Sequence, residues 1–577
     1  MRNPSRTIAV FGLLALAFVP GLRAAATETA NDVETAVRSY VAEEMDDSGV
    51  PGVVFMMVDA DGVVVAEAYG AADIASGRKM TVDTPLRVGS ISKPITAAIA
   101  LELAAEGRLD LDVPTDSYLD VDLTDRYGSA STLRQLLQHR GGYPDAFVGS
   151  HHLEAEDAQD LDEWVRNLAD RSIAPDVVAS YTSVGYTLAG AGIEGAMGTG
   201  FSDIAASILF DPLGMTSSTF GQPASDDVAV GYSLDENGFT PYPLDTPDLV
   251  PGAGLVASGN DIGRFMSALL DADGPLSEQT RDGLLTPAGP YPGRRAYTTG
   301  LTEWQYESRA ALYHEGNGIG TTNRMTILPD EGVGLYTAVN GEALVGMGDP
   351  SLQTLFIRDL HEMLIEEFYP GSSDLDVVPS ADGSGQVVDV RPGIYLPSRI
   401  DTGSVLRLEA LVSQFPVHSD AEGFIFLEGP DGLTYATKGG TGSYREAAWW
   451  ETINFNLALI GGAVLIAIVG SVISARTARG TILWLNLATG VLITAFVGFL
   501  AYGMVTVEVM QLFIGLPSPI QLAQAAMAGA IVSASALLAM ILTRSDVPTR
   551  VMAASSSVVL ATTALGIWAW AWQVFPV

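Results

Sequence analysis

Ser90 and Lys93 stand three residues apart in the run Gly89-Ser90-Ile91-Ser92-Lys93-Pro94. From Ser92 to Gly107 the apolar residues recur at helical spacing, so this run opens a helix. Residues three apart share a helix face one turn apart, which brings the Lys93 ammonium within reach of the Ser90 hydroxyl. The positive end of the helix dipole favours an alkoxide or oxyanion at the same place. Nucleophilic attack by Ser90 on a carbonyl is the chemistry open to such a pair. The pattern is common by chance, however, and a serine at a helix start also serves as an N-cap. His151-His152-Leu153-Glu154 is the other conspicuous polar group; with no matching ligand cluster it reads as a solvated loop rather than a metal site. The chain has no cysteine, which excludes disulfides, thiolate metal sites and a cysteine nucleophile. Neither H-E-x-x-H, G-x-S-x-G nor a phosphate-binding glycine loop occurs, and neither cofactor nor metal is expected.

Six segments follow one another along the chain: VPGVVFMMVDADGVVVAEAYG, TPLRVGSISKPITA, STLRQLLQHRGGYPD, YTSVGYTLAGAGIEGAMGTGFSDIAASILFDPLGMTSSTF, GAGLVASGNDIGRFMSALL and YHEGNGIGTTNRMTILPDEGVGLYTAVNGE. This succession, over about residues 32 to 365, resembles the serine β-lactamase-like family of class C β-lactamases, D-alanyl-D-alanine carboxypeptidases, D-aminopeptidases and related esterases. The resemblance implies three motifs facing one cleft: Ser90 to Lys93, Tyr181-Thr182-Ser183 and His314-Glu315-Gly316. It further implies that Ser90 attacks, that Tyr181 with Lys93 takes and returns the proton, and that an acyl-enzyme forms and is hydrolysed. The backbone N–H groups of Ser90 and Asn317 would hold the oxyanion. Ser183, His314 and Gly316 would contact substrate. A free phenol is a poor base at neutral pH unless a cation lowers its pKa, and Lys93 is the candidate cation. Taken singly, Tyr181 reads as a half-buried aromatic and His314 as a core or surface histidine. His139, in the QHRGG segment, takes a structural role at a helix end.

Two departures from the family pattern bear on substrate. The second motif ends in Ser183 instead of asparagine, which shortens the reach toward a substrate amide. The third is His-Glu-Gly instead of Lys-Thr-Gly, so the fixed cation that holds a β-lactam carboxylate is missing, and a histidine is mostly neutral at pH 7. Glu315 either faces the cleft or, by strand alternation, turns away from it. Both departures point toward an ester or small-peptide substrate. The competing reading is a membrane receptor acylated by its ligand without rapid turnover, of the penicillin-sensor kind.

The elements that must position these residues give an α+β fold of β-lactamase/transpeptidase-like type: an antiparallel sheet with flanking helices and an all-helical subdomain. Residues 50 to 70 read as a hairpin turning at Asp59 to Gly62, placed at an exposed sheet edge, and residues 320 to 340 return to strand composition. Residues 27–368 are the expected catalytic domain, 369–388 a linker and 389–446 a small β-rich appendage.

The two ends address the chain to a membrane. Arg2 and Arg6, the apolar run Ile8 to Val19 and Ala24-Ala25-Ala26 read as a signal peptide over residues 1–26. Residues 447–577 hold four apolar stretches, near 454–474, 481–504, 520–543 and 551–574, each long enough to span. Arg476 with Arg479, and Arg544 with Arg550, make the two short connections cytoplasmic and leave the catalytic domain outside. Trp449, Trp450, Trp568, Trp570 and Trp572 fall where an outer interfacial belt belongs. The net charge of −38, with lysine only at Lys79, Lys93 and Lys438, argues against a nucleic-acid partner and for a salt-adapted exterior. Partners are then a small ester or peptide substrate and membrane lipid; nothing in the sequence sets an oligomeric state.

Overall fold

The computed structural model describes residues 20–577 apart from 147, 224–226, 236–237, 290–296, 307–308, 342–350, 372–377, 380–385, 399–404, 419–423, 439–441, 508–511, 513–514 and 576–577. Residues 1–19 of the expected signal peptide, and most of the expected linker, therefore lie outside the described residues.

The run Val53 to Val58 has no polar residue at all, and a strand without alternation must be buried on both faces. Strand Gly52–Asp59 is accordingly an inner strand of a seven-stranded sheet, ordered Thr302–Tyr306, Arg309–Gly318, Thr321–Leu328, Val333–Val339, Gly52–Asp59, Gly62–Asp73 and Arg78–Lys79. Its antiparallel neighbours are Val333–Val339 on one side and Gly62–Asp73 on the other. The hairpin expected at an exposed edge has one inner and one outer strand: Gly52–Asp59 is internal, while Gly62–Asp73 meets Arg78–Lys79 only at Ala71 and Asp73, and Val63 on it is exposed. Alternate side chains serve two cores. Val53, Phe55 and Met57 pack with Val33, Val37, Phe356 and Leu360 of helices Pro20–Glu44 and Leu352–Phe368. Val54, Met56 and Val58 pack with Ile262, Phe265 and Met266 of helix Gly259–Leu270 and, beyond it, with the helical subdomain built on Ser92–Ala105 and Ser183–Met197. Helices on both faces of a mainly antiparallel sheet are the α+β architecture expected.

A separate six-stranded sheet follows, ordered Gln386–Val388, Phe424–Glu428, Thr434–Lys438, Gly442–Glu446, Gly393–Pro397 and Phe415–Val417. Within the stretch read as linker, Gln386–Val388 already belongs to this sheet, and Val378–Pro379 pairs with Ala288–Gly289.

Four helices, Ile453–Thr477, Gly480–Thr506, Ser518–Thr543 and Thr549–Ala571, are long and apolar enough to cross a membrane. Their packing is the reverse of a soluble bundle. Large apolar side chains such as Leu457, Val491, Val532, Leu542 and Leu560 point outward, while Ala467, Gly470, Gly490 and Ala530 line the interior. Inside, Asn486 donates to Ser555 Oγ (2.9 Å), Thr489 to Ser533 Oγ (2.9 Å) and Ser471 to the Asn486 carbonyl (3.0 Å). Small residues and interhelical hydrogen bonds hold helices together where lipid supplies no hydrophobic force. The tryptophan belt is narrower than expected. Trp449 and Trp570 are exposed, but Trp568 is buried with its indole N–H on Asn456 Oδ1 (2.7 Å), and Trp572 is buried beside Arg407. The Asn456 side chain gives the Trp568 N–H an interior partner, and the Arg407 guanidinium lies over the Trp572 ring.

Candidate active site

Strand Leu86–Gly89 delivers the chain to Ser90, and helix Ser92–Ala105 carries it away. The turn between them is locked from below: Ser92 Oγ donates to the Gly89 carbonyl (2.6 Å) and accepts from Leu255 N–H (2.9 Å). Gly89 has φ +51°, and a Cβ there would lie 2.4 Å from the Asn317 carbonyl; one on Gly316 would lie 2.0 Å from the Val88 carbonyl. Glycine is what allows the strand of the third motif to lie against the Ser90 turn. Thr321 Oγ1 and Asn323 Nδ2 close the same junction by donating to the Arg87 carbonyl, at 2.8 and 3.2 Å.

Lys93 has no exposed surface. A buried ammonium has three protons to place, and each unplaced one is costly. Here they go to Ser90 Oγ (2.9 Å), Ser183 Oγ (3.0 Å) and the Gly252 carbonyl (2.9 Å). The nitrogen also lies 4.8 Å from the centre of the Tyr181 ring. Ser90, Lys93, Tyr181 and Ser183 are therefore together in space. Ser183 sits under the ammonium as one of its acceptors, a position that sequence reasoning, which gave it a substrate amide, did not anticipate.

The second motif is held by residues the sequence did not single out for it. Thr182 caps helix Ser183–Met197 by accepting from Val184 N–H (3.1 Å). Asp145, 1% exposed, receives the Thr182 hydroxyl (2.8 Å) and Ser183 N–H (2.7 Å). His139 Nδ1 accepts from Thr182 N–H (3.2 Å), and its carbonyl accepts from Ser180 N–H (2.7 Å). The His139 ring lies 4.4 Å from that of Tyr181 and 4.9 Å from that of Tyr297. His139 does all this from a left-handed backbone, φ +56°, in the turn after helix Leu133–Leu137. Such a conformation in a side-chain-bearing residue marks a place where the fold holds the backbone against its preference. The positive φ could not be read from sequence, although the run Gln138-His139-Arg140-Gly141-Gly142 after an apolar helix was a turn signal.

His314 is buried, with its ring 5.8 Å from that of Tyr181. Burial, and secondarily the Lys93 charge, push its pKa down to about 3, so the imidazole is neutral. Its Nδ1 faces the Glu315 carbonyl at 2.7 Å and must donate; Nε2 then carries the lone pair, and it has no partner among the described residues. Glu315 pairs with Arg324 at 2.5 Å, across the ladder position where the two face each other, and the guanidinium lies over Trp304 and Tyr313. Strand alternation therefore turns Glu315 away from Tyr181. Pairing of Arg309–Gly318 with Thr302–Tyr306 ends at Tyr313, and among the described residues the edge from His314 to Gly318 has no strand partner on that side. Asn317 on this edge is exposed, and Ser90 and Tyr181 are partly exposed.

His151 and His152 do not form a solvated loop. They make a short ladder with Thr246–Pro247, His151 pairs with Asp245, and His152 Nε2 meets Asp248 at 2.8 Å. Asp245 also takes the buried Arg87 guanidinium. Two buried carboxylates need partners, and the histidines supply them. Among the described residues no cluster of three or more metal-ligating side chains occurs.

The chain is similar in sequence and fold to known proteins. A family model described as Beta-lactamase matches residues 37–351. Penicillin-binding protein 4 of Amycolatopsis lactamdurans is 27% identical over 347 residues, 55% of this chain and 86% of that protein. Esterase EstB of Burkholderia gladioli is 29% identical over 259 residues, 38% of this chain and 66% of the esterase, so this chain spans just under two thirds of the esterase's length. The crystal structure of SurE superposes with a TM-score of 0.51 at 23% identity over 71% of this chain and 92% of its own, a likeness of fold. With more than half its length matched by the family model, the chain belongs to the Beta-lactamase family.

Proposed function

We propose that this protein is a membrane-anchored serine hydrolase whose catalytic domain lies outside the cell and which cleaves an ester or amide carbonyl through an acyl-enzyme on Ser90. The observation that carries the reading is the Lys93 ammonium, hydrogen-bonded to both Ser90 Oγ and Ser183 Oγ beside the Tyr181 ring. Ser90 Oγ bonds to the carbonyl carbon, its proton passes to Tyr181, and the oxyanion meets the N–H groups of Ser90 and Asn317. Tyr181 returns the proton to the departing alcohol or amine, and water, deprotonated by the same route, releases the acid. Tyr181 takes the proton as its phenolate, the form that the Lys93 ammonium beside its ring favours. His314 and Gly316 form the wall against which substrate lies, with Ser183 behind it under Lys93. A neutral imidazole supplies no fixed charge for a carboxylate, which favours neutral esters over β-lactams. Export by residues 1–26 and the arginines of the two short connections support an outward-facing catalytic domain anchored by the four helices.

The test uses the full chain in molar salt. A fluorophosphonate probe is expected to label Ser90, and p-nitrophenyl butyrate to turn over steadily, with a loss of about 10³-fold or more in Ser90→Ala. Labelling elsewhere, or turnover untouched by Ser90→Ala, overturns the nucleophile assignment. One-turnover acylation without product release would make the protein a receptor.

A further inference from the structure

The second motif is tied to the end of the helix bundle that faces the catalytic domain. Ser180, the residue before Tyr181, shares a 3.1 Å hydrogen bond with Ser398 of the β-rich appendage. Two residues earlier, Leu396 is buried in one apolar cluster with Phe496, Leu500, Leu512, Ile520 and Trp568 of the bundle. A second tie starts at Asp145, which holds Thr182 and Ser183: three residues on, Val148 packs against that same cluster, and Gly149 N–H donates to the Leu512 carbonyl (2.9 Å). Leu512 lies between helices Gly480–Thr506 and Ser518–Thr543. Exposed Trp449 and Trp570 stand at this end of the bundle, where indoles favour the membrane–water boundary. The wall carrying Tyr181 is thus only a few residues from the level of the lipid headgroups, and it is fixed there by hydrogen bonds and apolar packing, whereas a flexible tether would suffice for a substrate arriving from water. The charges near the cleft are already spent: Lys93 on Ser90, Ser183 and Gly252, and Arg324 on Glu315.

We infer that the substrate is a neutral amphiphile drawn from the outer leaflet, its ester or amide carbonyl at headgroup depth and its chain remaining in the bilayer. This rests on the serine hydrolase reading and adds the route by which substrate arrives.

The full chain in vesicles of ether-linked phospholipid, which offer no carboxylic ester of their own, allows the test in molar salt. Two probes are compared: water-soluble p-nitrophenyl butyrate and bilayer-dispersed p-nitrophenyl palmitate. At fixed palmitate, adding about tenfold more ether lipid dilutes the probe in the surface, and its rate is expected to fall about tenfold while the butyrate rate holds. Palmitate turnover that is absent, or indifferent to this dilution, overturns the inference. Butyrate turnover and Ser90 labelling, measured in parallel, tell whether the hydrolase reading falls with it.

Discussion

Ser183 illustrates how one side chain changes meaning with its surroundings. As an acceptor under Lys93 it fixes where the ammonium sits, so Ser183→Ala removes one acceptor from a buried ammonium. The expected outcome is a fall of about 10- to 100-fold in kcat with little change in KM, measured on p-nitrophenyl butyrate. His139 acts on Tyr181 through geometry, stacking on its ring and holding the backbone on both sides. His139→Ala is expected to slow fluorophosphonate labelling of Ser90. His139→Asn, which tolerates φ +56° and retains an acceptor, is expected to recover part of that rate. Equal rates in the two variants would remove His139 from the positioning of Tyr181.

At the level of elements, the cleft depends on two strands passing at glycine. Adding a methyl at Gly316 puts carbon 2.0 Å from the Val88 carbonyl, a backbone atom that cannot swing aside. Gly316→Ala is expected to cost about 1 to 3 kcal/mol in stability by this overpacking. It should also abolish the proposed ester turnover, because separating the strands would move Asn317 N–H away from the oxyanion position proposed for it; chemical denaturation alongside kinetics checks both. Asp145→Ala acts on the facing element by leaving Thr182 Oγ1 and Ser183 N–H unsatisfied, a loss of about 1 to 3 kcal/mol seen in the same denaturation experiment.

The whole molecule carries −38, and residues 451–577, with three acidic and four basic side chains, contribute none of it, so self-repulsion in the first 450 residues is expected to weaken the fold in dilute buffer. Its melting temperature is expected to climb steeply between about 0.1 and 1 M salt, as the screening length falls from about 10 to about 3 Å. A flat profile would remove the salt-adapted reading. Acid adds a second dependence. His314 is held at about 3 against 6.5 in the unfolded chain, so between these values the unfolded chain binds a proton that the folded chain refuses. Its contribution is complete above pH 6.5 and is lost as pH falls, by about 2 to 3 kcal/mol at pH 4.5. His361, buried between Thr326 and Thr337 hydroxyls with its pKa lowered by burial, adds loss of the same sign. Melting curves from pH 7 to 4.5 should show a shallower decline in His314→Gln.

Local pattern determined a good deal by itself. Apolar runs of span length marked the four helices, the turn residues Asp59 to Gly62 marked a hairpin, and a three-residue spacing put Lys93 at Ser90, because each of these depends only on local pattern. The collinear motifs carried the family, and with it the fold class. Which side chain meets which across long stretches of chain was decided only when the elements packed. Glu315 found Arg324 through strand register, Asp145 and His139 came under Thr182 from about 40 residues away, and His151 and His152 were drawn to Asp245 and Asp248. Trp568 turned inward for the same reason. A buried charge or polar group takes whichever partner the fold brings within about 3 Å, and no spacing along the chain encodes that distance.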